Sequence, residues 1–178
     1  SRQSAGLFAL RGIVHALGVI TWFFAMGLLP VAEVAALGYL TPIGVTIGAA
    51  LFLGERLAIR RILAICIGLV GVFVILRPGF RSIELAHLSM LGTTAMFAAS
   101  YLLAKIMSGR ASPTMVVGML SITVTIGLAP MAFAVWEPPT TADLGWLFVV
   151  AALATAGQYP MTFAFREAPV TVPQPVTI

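Results

Sequence analysis

Apolar residues fill this chain in blocks of about the length needed to cross a bilayer, each closed by a short polar break. Crossing some 30 Å of hydrocarbon takes a helix of about 20 mostly apolar residues. Blocks of that kind run over residues 12–29, 34–54, 57–76, 88–107, 115–136 and 144–165, and a further apolar stretch opens at 169 and continues to 178. Arg60 and Arg61 fall at the start of the third block, where long side chains can snorkel to the interface. The pattern predicts an all-α integral membrane protein, a multi-pass helical bundle with six spans and the start of a seventh. Three spans fall in residues 1–80, and three, with the start of a fourth, in 81–178.

Composition agrees with the pattern. Hydrophobic residues make up 60% of the chain and charged ones 9%, against roughly a quarter charged in soluble domains. The net charge of +4 does not point to nucleic acid, because the positive residues flank spans instead of clustering on one solvated face. The single Cys66 lies within a span and excludes an intrachain disulfide; it reads as a small apolar core residue. The opening lacks a basic stretch leading to a small-residue cleavage site. A first residue of Ser1 and an apolar ending suggest an internal piece of a longer protein.

Charge also predicts orientation, since Lys and Arg collect on the cytoplasmic side. One set of breaks holds Arg2 and Arg11, then Arg56, Arg60 and Arg61, then Lys105 and Arg110, then Arg166. The other holds Arg77 and Arg81 together with Glu33, Glu84, Glu137 and Asp143. The chain start is therefore expected inside. The first and sixth spans end in similar wording, FFAMGLLPV and TFAFREAPV, which pairs Gly18 with Gly157, Phe24 with Phe163, Ala25 with Ala164, Pro30 with Pro169 and Val31 with Val170. Five crossings separate the copies, so they are antiparallel. That is the sequence trace of an inverted repeat, which in secondary transporters places the pathway between the halves.

Polar residues at membrane depth are costly, so their positions carry information. In the sixth span Thr155, Gln158, Tyr159, Thr162 and Arg166 share one helical face. Gln158 must face protein or a watery cavity, as interhelical glue or as pathway lining; Thr155 and Thr162 read as bonded back to their own helix. In the first span Arg11, His15, Gly18 and Trp22 share a stripe. Arg11 is expected to snorkel as an anchor. His15 either couples protons or donates to a backbone carbonyl. Trp22 is expected near mid-membrane, as cavity wall or packing. Ser100 and Tyr101 lie deep in the fourth span, with Lys105 as a cytoplasmic flank. Tyr39 and Thr41 precede Pro42, whose missing donor loosens the turn before it. Gly44 with Gly48 and Ala64 with Gly68 read as close helix approaches. Glu55, Arg56, Arg60 and Arg61 form a predicted cytoplasmic charge cluster. No metal site is predicted, because His15 and His87 lack HExxH spacing and no acidic cluster stands near them.

Several of these elements combine into a familiar series. Arg11-Gly12 opens a span and Leu29-Pro30-Val31-Ala32-Glu33 ends it; Ala36-Leu37 is followed by Pro42; Gly54-Glu55 closes the next span and Arg61 opens another; Gly68, Gly71 and Arg77-Pro78-Gly79 complete it. This series resembles the EamA-type family of the drug/metabolite transporter superfamily, and the stretch GQYPMTFAFREAPVTVPQPVTI is similar to the family's other repeat. Pro160 and Pro173 depart from the expected pattern. The resemblance implies a ten-helix carrier of two inverted five-helix repeats with both termini cytoplasmic, of which this chain holds helices three to eight and the beginning of nine. No cofactor and no enzyme activity are expected, because the chain shows no HExxH spacing, no acidic cluster and no exposed serine motif. The expected function is secondary transport, as export, of small organic metabolites such as amino acids or drugs across the inner (cytoplasmic) membrane by alternating access. The partners are the solute and the lipid bilayer, with no nucleic acid. The pathway residues are expected among Trp22, Tyr39, Thr41, Ser100, Tyr101, Gln158, Tyr159 and Thr162. The alternative is a membrane scaffold or assembly subunit, in which the polar stripes are glue only. Oligomeric state is not readable from the sequence.

Overall fold

Helix boundaries follow from local chemistry. In the computed structural model, which describes residues 2–77 and 84–167, the chain forms α1 (Arg2–Met26), α2 (Val31–Gly38), α3 (Leu40–Phe52), α4 (Ile59–Leu76), α5 (Leu85–Ser108), α6 (Pro113–Ala134) and α7 (Thr141–Glu167). With α2 and α3 joined as one span, six segments are long and apolar enough to cross a membrane, and the protein is a multi-pass helical membrane protein. The predicted stretch at 169–178, Pro173, Arg81 and the Pro169 and Val170 members of the repeat pairing lie outside the described residues.

Polar residues at the breaks satisfy the free N–H groups of each helix start. Ser112 Oγ accepts from the Met115 N–H at 3.3 Å, with Pro113 in the first turn where its missing donor costs nothing. Thr140 and Asp143 cap α7 reciprocally, and Glu84 and His87 do the same for α5. Gly54 ends the second span at φ 68°, the left-handed region open to glycine without a Cβ penalty.

Two boundaries differ from expectation. The first helix begins at Arg2, not near residue 12, because Phe8 is buried in the core and Arg11 bonds across to a neighbour, so packing carries the helix through a polar opening. The second span breaks at Tyr39, whose N–H is shared between the carbonyls of Ala35 and Ala36 at 3.3 Å each. Pro42 has no N–H to give the Gly38 carbonyl, which loosens that turn. By contrast α7 continues through Pro160 and α6 through Pro130.

Contacts fix the packing directions. Residues 15 and 21 of α1 meet 100 and 93 of α5, so those helices are antiparallel, whereas Gly12 and Ala16 meet Thr123 and Gly127 of α6 in parallel. Gly44 and Gly48 of α3 lie against Ala98 and Leu102 of α5, also in parallel. The first and fifth spans therefore run one way and the second and fourth the other. Glycines make the approaches possible: a Cβ on Gly12 would stand 2.2 Å from Thr123 Cβ, and one on Gly18 2.8 Å from the Phe97 ring. The Gly44 and Gly48 pair thus marks a close crossing, as expected. Ala64 and Gly68 do not: a Cβ on Gly68 would meet only the end of the Ile43 side chain, at 3.6 Å, and both residues line an open groove.

Two apolar cores result. One joins Phe8, Val45, Ala98, Met107, Val116 and Phe165; the other joins Ala25, Leu29, Val34, Leu37, Val72 and Met90. Most of α4 and residues 130–157 are exposed and largely apolar, a surface that lipid covers without penalty.

Candidate functional site

Between α1, α5, α6 and α7, at the end of the bundle nearer the start of α1, polar side chains converge in the apolar interior. Arg11 is 1% exposed and does not snorkel. Its Nη1 donates to the Val116 carbonyl at 3.0 Å, while Nε and Nη2 make no hydrogen bond among the described residues. One helical turn on, His15 stacks on Phe97 with centroids 4.8 Å apart, and its Nδ1 lies 3.0 Å from Ser100 Oγ. Ser100 is fully buried. The Tyr101 side chain lies near both Arg11 and the Gln158 side chain, and its ring meets Phe165 edge-on at 6.4 Å. Gln158 Oε1 is buried without a hydrogen-bond partner among the described residues. Thr162, 0% exposed, returns its hydroxyl to the Gln158 carbonyl at 2.9 Å. Lys105 donates to the carbonyl of Phe165, which ties α5 to the end of α7 instead of leaving a free flank.

His15, Ser100, Tyr101, Gln158 and Thr162 thus come together as one cluster, and Arg11 joins them. The remaining predicted residues lie elsewhere. Trp22 stands one turn from the end of α1, nearer the interface than expected, beside Phe23 and against the second core. Its expected mid-membrane position assumed a helix starting ten residues later. Thr41 is buried in α3, Thr155 is exposed, and Tyr159 is exposed with its hydroxyl 3.5 Å from Thr114 Oγ1. Tyr39 lies in a groove of about 390 Å³ between the second span and α4, lined also by Pro42, Thr46, Ala64, Gly68 and Arg61. Arg61 lines this groove and, like Glu55, is half-buried, whereas Arg56 and Arg60 are exposed.

At the opposite end, Glu33 is buried and accepts from His87 Nε2 at 3.3 Å. The Glu84 N–H donates to His87 Nδ1 at 3.1 Å, so Nε2 carries the proton. This contact fastens α2 to α5 and is separate from the cluster.

Sequence reasoning missed the role of Arg11. Its signal was the four-residue spacing to His15, which puts both on one face; the Val116 carbonyl it binds has no sequence signature. The cluster offers hydrogen-bond donors, acceptors and one fixed cation, the equipment of a binding site.

The EamA-like transporter family matches residues 1–77. A riboflavin transporter of Rhizobium johnstonii is 36% identical over 170 residues, covering 93% of this chain and 55% of that protein. A pseudopaline exporter of Pseudomonas aeruginosa is 26% identical over 174 residues, covering 97% of this chain and 61% of the relative. An S-adenosylmethionine uptake transporter of Rickettsia prowazekii is 22% identical over 157 residues, covering 88% and 52%. The chain thus spans little more than half the length of these curated relatives. No solved structure matches.

Proposed function

We propose that the protein, whose residues 1–77 match the EamA-like transporter family, is a secondary carrier of small organic solutes. It works by alternating access, with the pathway running through the Arg11, His15, Ser100, Tyr101 and Gln158 cluster. The observation that carries the reading is the convergence of these side chains from α1 and from α5 and α7. Polar groups inside hydrocarbon are expensive and mark pathways. The helices involved come from both predicted repeats, 1–80 and 81–178, and the interface of inverted repeats is where carriers place their sites. The basic breaks support a cytoplasmic chain start in the inner membrane. The relatives are named for export and for uptake, so the export expected from the sequence is tested against uptake.

The test is cysteine accessibility in the full-length protein. With Cys66 replaced, single cysteines at Ser100, Gln158, Trp22 and Tyr39 are challenged with a water-soluble maleimide from each side of the membrane. Labelling of Ser100 and Gln158 positions from a side that changes on adding solute is expected. If both stay unlabelled from either side, the cluster is packing glue and the scaffold reading replaces the carrier.

A further inference from the structure

One nitrogen of the Arg11 guanidinium is hydrogen-bonded and two are not. Nη1 is held by the Val116 carbonyl. Nε and Nη2, both buried, remain without partners among the described residues. These two are the parallel donors along one edge of the guanidinium plane, the fork that matches the two oxygens of a carboxylate. Leaving such donors unpaired costs more than the bond to Val116 returns, since an unsatisfied buried charged donor forfeits its full desolvation energy. No carboxylate among the described residues pairs with Arg11, whose side chain shares this interior with Tyr101 and, one helical turn on, His15. Nothing in the cluster therefore cancels its charge.

Position points the same way. Arg11 is not at a helix end but ten residues into α1, buried in a packed interior near Tyr101. A structural arginine in hydrocarbon would be expected to pair with an acid or reach the interface. The anchoring bond to α6 holds the guanidinium in place and leaves its fork edge for something else.

We propose that Arg11 is the specificity-determining residue of the carrier and that its Nε and Nη2 donors bind a carboxylate on the transported solute. This rests on the transport reading above, with Arg11 discriminating anionic from neutral or cationic solutes of the same shape.

The experiment uses the purified full-length protein and a matched panel: phenylacetate, phenylacetamide and phenethylamine, with hexanoate and hexanamide as an aliphatic pair. Binding is read by thermal shift and transport by counterflow in proteoliposomes. The acids are expected to bind roughly 10-fold or more tightly than their amides, the loss when a charge-assisted bond is unmade. Arg11→Gln should abolish the acid-over-amide preference. Arg11→Lys, which keeps the charge but not the fork, should retain the preference with weaker binding, and serves if Arg11→Gln does not fold. Equal binding of acid and amide, no acid binding at all, or an acid preference that survives in Arg11→Gln would overturn the proposal. Acid-selective binding without counterflow of any solute would instead remove the transport reading and leave Arg11 as an anion site. Counterflow of solutes without acid preference would do the reverse.

Discussion

At the scale of single residues, small side chains decide how closely α1 can lie on its neighbours. Gly12→Ala would force a methyl into Thr123, whose Cβ stands on a helix and cannot swing aside. The expected cost is about 1–3 kcal/mol of stability, seen as a lowered midpoint of thermal unfolding in detergent. Gly92, where a Cβ would meet nothing within 4 Å, is the control: Gly92→Ala should change stability by no more than about 0.5 kcal/mol. The His15 contact is a weaker matter. Removing the Ser100 hydroxyl with Ser100→Ala should cost only about 0.6 kcal/mol, the average of measured interhelical hydrogen bonds in membranes. A much larger loss would mean that the hydroxyl organises the whole cluster. Gln158 and His15 were legible as polar residues at depth because the sequence around them is apolar. Arg11 was not, because an arginine near a predicted helix start can equally reach water, and only the earlier true start of α1 places it deep inside.

Among the helices, the break in the second span is the feature most exposed to test. Pro42 leaves the Gly38 carbonyl without its usual donor, and Tyr39 N–H bends between two acceptors. Pro42→Ala should restore the missing bond, join α2 to α3 and stabilise the protein by about 1 kcal/mol. Hydrogen exchange of the amides around residues 39–46 should slow in the variant; unchanged exchange would show that another cause breaks the helix. The sequence marked a loosened turn before Pro42 but read one continuous span there, and it located the ends of each span, with one exception, to within a few residues. The exception, the start of α1, followed tertiary packing of Phe8 and Arg11 rather than hydropathy. Span existence was legible because the bilayer demands one length and one composition.

For the molecule as a whole, the exposed apolar faces of α4 and of residues 130–157 make sense only in lipid or against further chain. Cys66 sits exposed in the middle of α4. In intact membranes it should resist a water-soluble maleimide, because a thiol in hydrocarbon does not ionise, and react after denaturation in detergent. Ready labelling in native membranes would instead place the α4 surface against water. The sequence by itself determined the class of molecule, the six spans of the described residues and the close approach at Gly44 and Gly48. Those properties follow from local length, composition and backbone chemistry, which each segment carries alone. Only the tertiary structure decided which polar residues meet. It joined Arg11, His15, Ser100, Tyr101 and Gln158, left Trp22, Tyr39 and Tyr159 apart, and brought Glu33 to His87 at the far end. Such meetings depend on the rotation and depth of one helix against another, which packing sets and no single segment encodes.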